Sequence, residues 1–279
     1  MLRKLFNSLL ALIFIVLVIL FAYKTVREPQ ILKVSLEKDS TINGTNNSGS
    51  FSKEELNAAI KEYILNNPDD IVKSVEGVQQ QKVVESSQKT SEYLKEHKKD
   101  IEEADSPPIL GNKNADISIV VFYDYNCSYC RQANEYTNEL LASDPSVKII
   151  LRPIPILGGT SMYAAKAALA IQKIAGEKFD LIHNDLMSLS PIDESTVKTL
   201  VAKYDIDYAL VENEVNSYSN KQLINKNFKL AKGLGIKGVP SYVVNGNFIP
   251  GLIPVDKFQS IILQIRNTAK AGVASEANK

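Results

Sequence analysis

Residues 117 to 130 read ISIVVFYDYNCSYC. The first seven are β-branched or aromatic except for Ser118, a near-continuous apolar run of strand length, as expected of a strand buried on both faces. The run leads straight into Cys127-Ser128-Tyr129-Cys130, after which Gln132 to Leu141 carries a helical pattern closed by Asp144-Pro145. A strand that delivers Cys-x-x-Cys onto the first turn of a helix is a chemical device. The first thiol sits beside unsatisfied helix N–H groups and the positive end of the helix dipole, which favour thiolate over thiol. The second, one turn on, is near enough to close a disulfide and expel a bound partner. A purely structural disulfide over so short a loop would constrain the unfolded chain by only about 2 kcal/mol. A zinc site would need two further ligands, and the two histidines, His97 and His183, fall far apart on separate predicted helices. The redox reading of Cys127 and Cys130 leads, with no metal and no cofactor implied.

Outward from this stretch, Val147 to Leu151 is a second buried strand. Helical patterns follow at Met162 to Ala175, Phe179 to Leu189, Glu194 to Tyr204 and Lys221 to Lys232. Ser241 to Val244 and Asn247 to Ile249 flank Asn245-Gly246, the signature of a tight hairpin. Val255 to Ala269 closes the pattern as a helix, and 271–279 reads as a flexible tail. The order is β-α-β, a helical block at about 160–232, then β-β-α. This is an α/β sheet with a helical domain spliced into it.

The chain has 279 residues with 32 basic and 32 acidic side chains, which removes the electrostatic footprint of a nucleic-acid binder. Residues 1–24 place Arg3 and Lys4 before an apolar run, the order of a secretory signal peptide or signal anchor. From Leu5 the run is about 19 residues, close to the roughly 20 that span a bilayer, so cleavage and retention of residues 5–23 as an inner-membrane anchor both stay open. Either way the body lies outside the cytoplasm, where thiols can be oxidised. Residues 25–50, ending in the polar DSTINGTNNSGS, read as a flexible linker.

Residues 51–105 form a helical arm. Ser52-Lys53-Glu54-Glu55 is a capping box, and Leu56, Ala59, Ile60, Tyr63 and Ile64 recur at helical spacing. Asn67-Pro68-Asp69-Asp70 begins a second helix carrying Ile71, Val72, Val75 and Val78. The segment has 8 basic and 13 acidic residues and too few large apolar groups to form its own core. It is either a solvated arm on the main domain or a stalk for self-association. Pro107-Pro108 is expected to close it as a rigid linker.

Cys127-Ser128-Tyr129-Cys130 after one strand, with Gly238-Val239-Pro240 before another, resembles the DsbA-like thiol:disulfide oxidoreductases of the thioredoxin fold. Pro108-Ile109-Leu110-Gly111-Asn112 together with Phe122-Tyr123-Asp124-Tyr125-Asn126-Cys127 is most similar to the subgroup of copper-sensitivity suppressor and rickettsial envelope proteins. The resemblance spans about 51–268. It implies a thioredoxin-like domain over 106–270, Cys127 as nucleophile, Cys130 as resolving thiol, and Ser128, Tyr129 and Pro240 as active-site support. Pro240 is implied to be cis, and Val239 to bind substrate. It further implies a periplasmic protein-disulfide oxidoreductase acting on exported cysteine-containing proteins and recycled by a membrane redox partner. Two alternatives remain: an oligomeric isomerase or reductase, and a copper-tolerance protein holding Cu(I) on the same thiols. Met162 and Met187 read as core residues rather than copper ligands. Many members carry a buried glutamate six residues before the first cysteine; here that position is Val121, and the nearest acid is Asp124.

Overall fold

The computed structural model describes residues 52–103 and 107–276, and of residues 272–276 the backbone alone. The signal or anchor at 1–24 and the linker at 25–50 lie outside the described residues. The chain divides into two units, the first ending at Asn66 and the second beginning at Asn67.

In the first unit, α1 (Lys53–Asn66) starts at the expected capping box. The Glu55 N–H donates to Ser52 Oγ at 3.2 Å and the Ser52 N–H donates to Glu55 Oε2 at 2.9 Å. None of its residues is buried, and Leu56, Ile60, Ile64 and Leu65 are exposed.

The second unit opens with α2 (Pro68–Glu96), with Pro68 in the first turn and Asp69 and Asp70 at the positive helix end. At 29 residues it is about 43 Å long. Then come α3 (Lys98–Glu102), β1 (Ile109–Gly111), β2 (Ile117–Tyr123), α4 (Ser128–Ser143) and β3 (Val147–Pro153). The helical block holds α5 (Gly159–Ile174), α6 (Phe179–Ser188), α7 (Glu194–Lys203), α8 (Tyr208–Val215) and α9 (Tyr218–Gly233). β4 (Ser241–Val244), β5 (Asn247–Pro250) and α10 (Val255–Glu276) complete it. The five strands among the described residues lie in the order β1-β3-β2-β4-β5, with β2 parallel to β3 and every other pair antiparallel.

Because side chains alternate across a strand, β2 serves two cores. Ile117, Ile119, Val121 and Tyr123 join the cluster that contains Cys127, Cys130, α5, α6 and Phe258 of α10. Val120 and Phe122 join a second cluster with Leu94, Ile101 and Leu230. The unbroken apolar run in the sequence is the consequence of covering both faces.

Several features depart from the sequence reading. Pro107 and Pro108 are not a linker: both are buried, and the Leu151 N–H donates to the Pro108 carbonyl at 2.9 Å. They lead into β1, an edge strand too short to give a periodic signal. The helix expected over 255–269 continues to Glu276, replacing most of the anticipated tail with helix-favouring residues such as Ala271 and Ala274; residues 277–279 lie outside the described part. The arm, by contrast, agrees with the reading of a solvated helix packing on the main domain, exposed along most of α2 and packed at its base. Leu94 and Ile101 are buried, and Tyr93 lies over Gly233, where an added Cβ would sit 2.0 Å from the ring. Buried Arg152 of β3 clasps the end of α3, donating from Nη2 to the carbonyls of Asp100 at 2.8 Å and Ile101 at 3.0 Å.

Candidate active site

β2 ends at Tyr123, and Asp124, Tyr125 and Asn126 turn the chain from sheet to helix. The turn is held by Asp124, which the sequence leaves as the nearest acid to the cysteines. Its carboxylate is buried and accepts three backbone N–H bonds, from Asn126 at 2.9 Å, Ile156 at 2.8 Å and Leu157 at 3.0 Å. Those bonds fasten the loop before α4 to the loop before α5. Asn126 adds a clasp, donating to Thr160 Oγ1 and Ser161 Oγ, both at 3.1 Å.

Cys127 is the N-cap residue of α4, with extended backbone (φ −82°, ψ 120°), and its carbonyl takes the N–H of Arg131 at 3.1 Å. Its thiol therefore stands where the first helical N–H groups point. Ser128 and Tyr129 are exposed on the first turn. Arg131 directs Nε to the Tyr125 carbonyl at 3.4 Å rather than to a sulfur. Cys130 is 1% exposed, and burial pushes its thiol well above the ordinary range. Both cysteines stand as free thiols.

The second half of the site arrives from more than a hundred residues later. The sheet brings Val239 to Cys127: the thiol lies 3.6 Å from the Val239 carbonyl oxygen. The Val239–Pro240 peptide is cis, Pro240 is buried, and Ser241 Oγ bonds the Gly238 carbonyl at 2.8 Å. β4 then pairs with β2, setting Tyr242 opposite Val121. Cys127, Cys130, Val239 and Pro240 are thus brought together, with Tyr129 on the open side. Met162 packs with the small cluster of Ala165, Leu169 and Ile224, and Met187 is buried in the main core.

A polar network behind Cys130 was not anticipated from the sequence. Tyr123 Oη donates to Tyr125 Oη at 3.1 Å, and Tyr125 Oη lies 2.9 Å from His183 Nδ1. His183 Nε2 lies 3.2 Å from Asn134 Oδ1. Burial holds His183 neutral, its pKa pushed down to about 3. Cys130, Tyr123, Asn134, Thr137 and His183 share the lining of one cavity of about 10 Å³.

A model of the DSBA-like thioredoxin domain matches residues 118–263. The chain is 26% identical over 160 residues to the thiol:disulfide interchange protein DsbA of Burkholderia cepacia, covering 55% of this chain and 74% of that protein. It spans only 26% of the length of another relative, a Na(+)/H(+) antiporter of Salinispora tropica, at 24% identity over 171 residues. A thioredoxin-like oxidoreductase from Silicibacter pomeroyi superposes with a TM-score of 0.57 at 31% identity, covering 61% of this chain and 97% of that one. ScsC of Proteus mirabilis superposes with a TM-score of 0.58 at 23% identity over 76% of this chain and 95% of its own, a likeness of fold.

Proposed function

The chain belongs to the family of DSBA-like thioredoxin domains and is a thiol:disulfide oxidoreductase of that family; on that premise we propose that it oxidises exported cysteine-containing proteins by passing on a Cys127–Cys130 disulfide. A substrate thiolate attacks Cys127 Sγ, the Cys127–Cys130 bond breaks, and its electron pair leaves on Cys130. The substrate's second thiolate then attacks the substrate sulfur of the mixed disulfide. The substrate closes its own disulfide and leaves two thiols behind. A membrane redox partner restores the pair.

The observation that carries this reading is the asymmetry of the two sulfurs. Cys127 caps the helix and faces Val239, whereas Cys130 is sealed one turn inside. The Val239 backbone beside Cys127 offers an extended substrate segment a strand to pair with, and Ser128 and Tyr129 border it from the helix side. Residues 1–24 support export to the periplasm, where disulfides persist. The experiment is reactivation of reduced ribonuclease by the oxidised protein. Wild type is expected to restore activity and Cys127→Ser to restore none; an inactive wild type would remove the oxidase reading.

The arm favours a second reading. Ile71, Val72, Val75 and Val78 of α2 are exposed, as are Leu56, Ile60 and Ile64 of α1. Such stripes support self-association through 51–105, an arrangement suited to an isomerase or reductase kept in the dithiol form. Faster recovery of scrambled than of reduced ribonuclease would favour it over oxidation.

A further inference from the structure

The hydroxyls behind Cys130 run in one direction, and His183 sets it. Asn134 Nδ2 and Asn138 Nδ2 both donate to Asn184 Oδ1 at 2.8 Å, which turns Asn134 Oδ1 toward the imidazole. An acceptor at 3.2 Å from Nε2 assigns the proton of the neutral ring to Nε2 and leaves Nδ1 bare. Tyr125 must then donate its O–H to Nδ1, and Tyr123 donates to Tyr125. With its own proton committed, Tyr123 can offer only lone pairs to further neighbours. The cavity it shares with Cys130, at about 10 Å³, has room for a single water.

We propose that His183, acting through Tyr125 and Tyr123, fixes a one-way hydroxyl chain that presents an acceptor to Cys130 across one water in their shared cavity, and so holds the resolving sulfur as a thiol. His183 is a positioning residue here, since it acts through the tyrosines. Two donors face Cys130 from elsewhere, the Asp124 backbone N–H, which favours its thiolate, and the buried Tyr242 hydroxyl, which has no hydrogen-bond partner among the described residues. Asp124, at the end of β2, has its carboxylate on three backbone N–H groups; Arg131 points at the Tyr125 carbonyl; Tyr242, from β4, and Cys127 complete the surroundings.

The inference rests on the oxidase reading for its consequence. When substrate attacks Cys127, the Cys130 thiolate takes up one proton, balanced by the proton the substrate thiol gave to solvent. A Cys130 held as thiol cannot attack back, so the mixed disulfide lasts until the substrate's second thiol reaches it.

The test follows the mixed disulfide between Cys127 and a one-cysteine peptide, timing peptide release by Cys130 as a function of pH in the full chain. Tyr125→Phe frees the Tyr123 O–H to turn toward Cys130 and stabilise its thiolate. Release is expected to quicken about tenfold at neutral pH, the effect of one hydrogen bond to a charged group. His183→Leu should act in the same direction, and serves if Tyr125→Phe fails to fold. Tyr123→Phe removes the acceptor without supplying a donor and should quicken release less than Tyr125→Phe does. Equal changes in Tyr123→Phe and Tyr125→Phe, or no change in Tyr125→Phe and His183→Leu, would overturn the proposal. Ribonuclease reactivation by wild type decides the oxidase reading separately, because release rates are read whether or not the protein oxidises ribonuclease.

Discussion

The Cys127 thiol lies 3.6 Å from the carbonyl oxygen of Val239, a residue 112 positions away in the chain. Sheet pairing makes this meeting: β2 ends just before Cys127, and β4, which begins after Pro240, runs antiparallel beside it. The Cys127 sulfur and the Val239 backbone are therefore fixed by the same ladder of hydrogen bonds.

The two thiols differ in depth of burial, Cys127 being 9% exposed and Cys130 1%. Cys130 is sealed and its thiol is pushed well above the usual range, so at neutral pH it is protonated and shielded. Brief iodoacetamide treatment of the reduced protein at pH 7.5 is expected to label Cys127 and leave Cys130 unmodified by peptide mass mapping. Equal labelling would mean that the helix turn does not bury the second sulfur.

His183 links stability to pH. Its folded pKa of about 3 lies below the unfolded value of about 6.5, so below pH 6.5 the unfolded chain binds a proton that the folded one does not. The sign is loss of stability as pH falls from about 6.5 toward 3, with this group alone contributing a slope approaching 1.4 kcal/mol per pH unit. Urea unfolding of wild type and His183→Leu at pH 7 and pH 5 checks it: the variant is expected to lose less between the two. Parallel losses would place the acid sensitivity elsewhere.

The sequence made the chemistry legible where a local pattern forced it. The run from Ile117 to Tyr123 reads as a doubly covered strand, and Cys-x-x-Cys at its end reads as the start of a helix. The Asn245-Gly246 turn was equally plain, both residues having positive φ. What escaped was non-local or brief. β1 has three residues and α8 eight, with only Asp207 to mark the N-cap of α8. Arg152 sits inside an apolar run and reveals its purpose only when the ends of α2 and α3 fold over it. His183 reads as an isolated histidine until α6 sets it against Tyr125; the one available signal was Tyr123 and Tyr125, alternating beyond the strand.

Gly233 is needed because Tyr93 lies on it. An added methyl would meet the ring at 2.0 to 2.5 Å, so Gly233→Ala must displace the base of α2. The expected cost is about 1–3 kcal/mol, as for other overpacked sites. Limited proteolysis should cut α2 faster in this variant; an unchanged cleavage rate would mean that α2 is held elsewhere.

The arm can be shortened only above its anchored base. A chain beginning at Ser106 loses Leu94, Ile101 and the Asp100 and Ile101 carbonyls that receive Arg152, and should lose several kcal/mol of stability. One beginning near Glu85 keeps them and lacks the exposed stripe. Light scattering is expected to find the Glu85 form monomeric and a Phe51 form associated. A monomeric Phe51 form would remove the stalk.

Transfer of the disulfide through Cys127 is tested most directly by mapping the first covalent adduct. The oxidised protein is mixed with a one-cysteine peptide, quenched with acid within seconds and digested for mass spectrometry. The peptide is expected on Cys127 with Cys130 left as a free thiol, because Cys127 faces Val239 and Cys130 is 1% exposed. Peptide found on Cys130, or shared between both sulfurs, would contradict the assignment of nucleophile and resolving thiol.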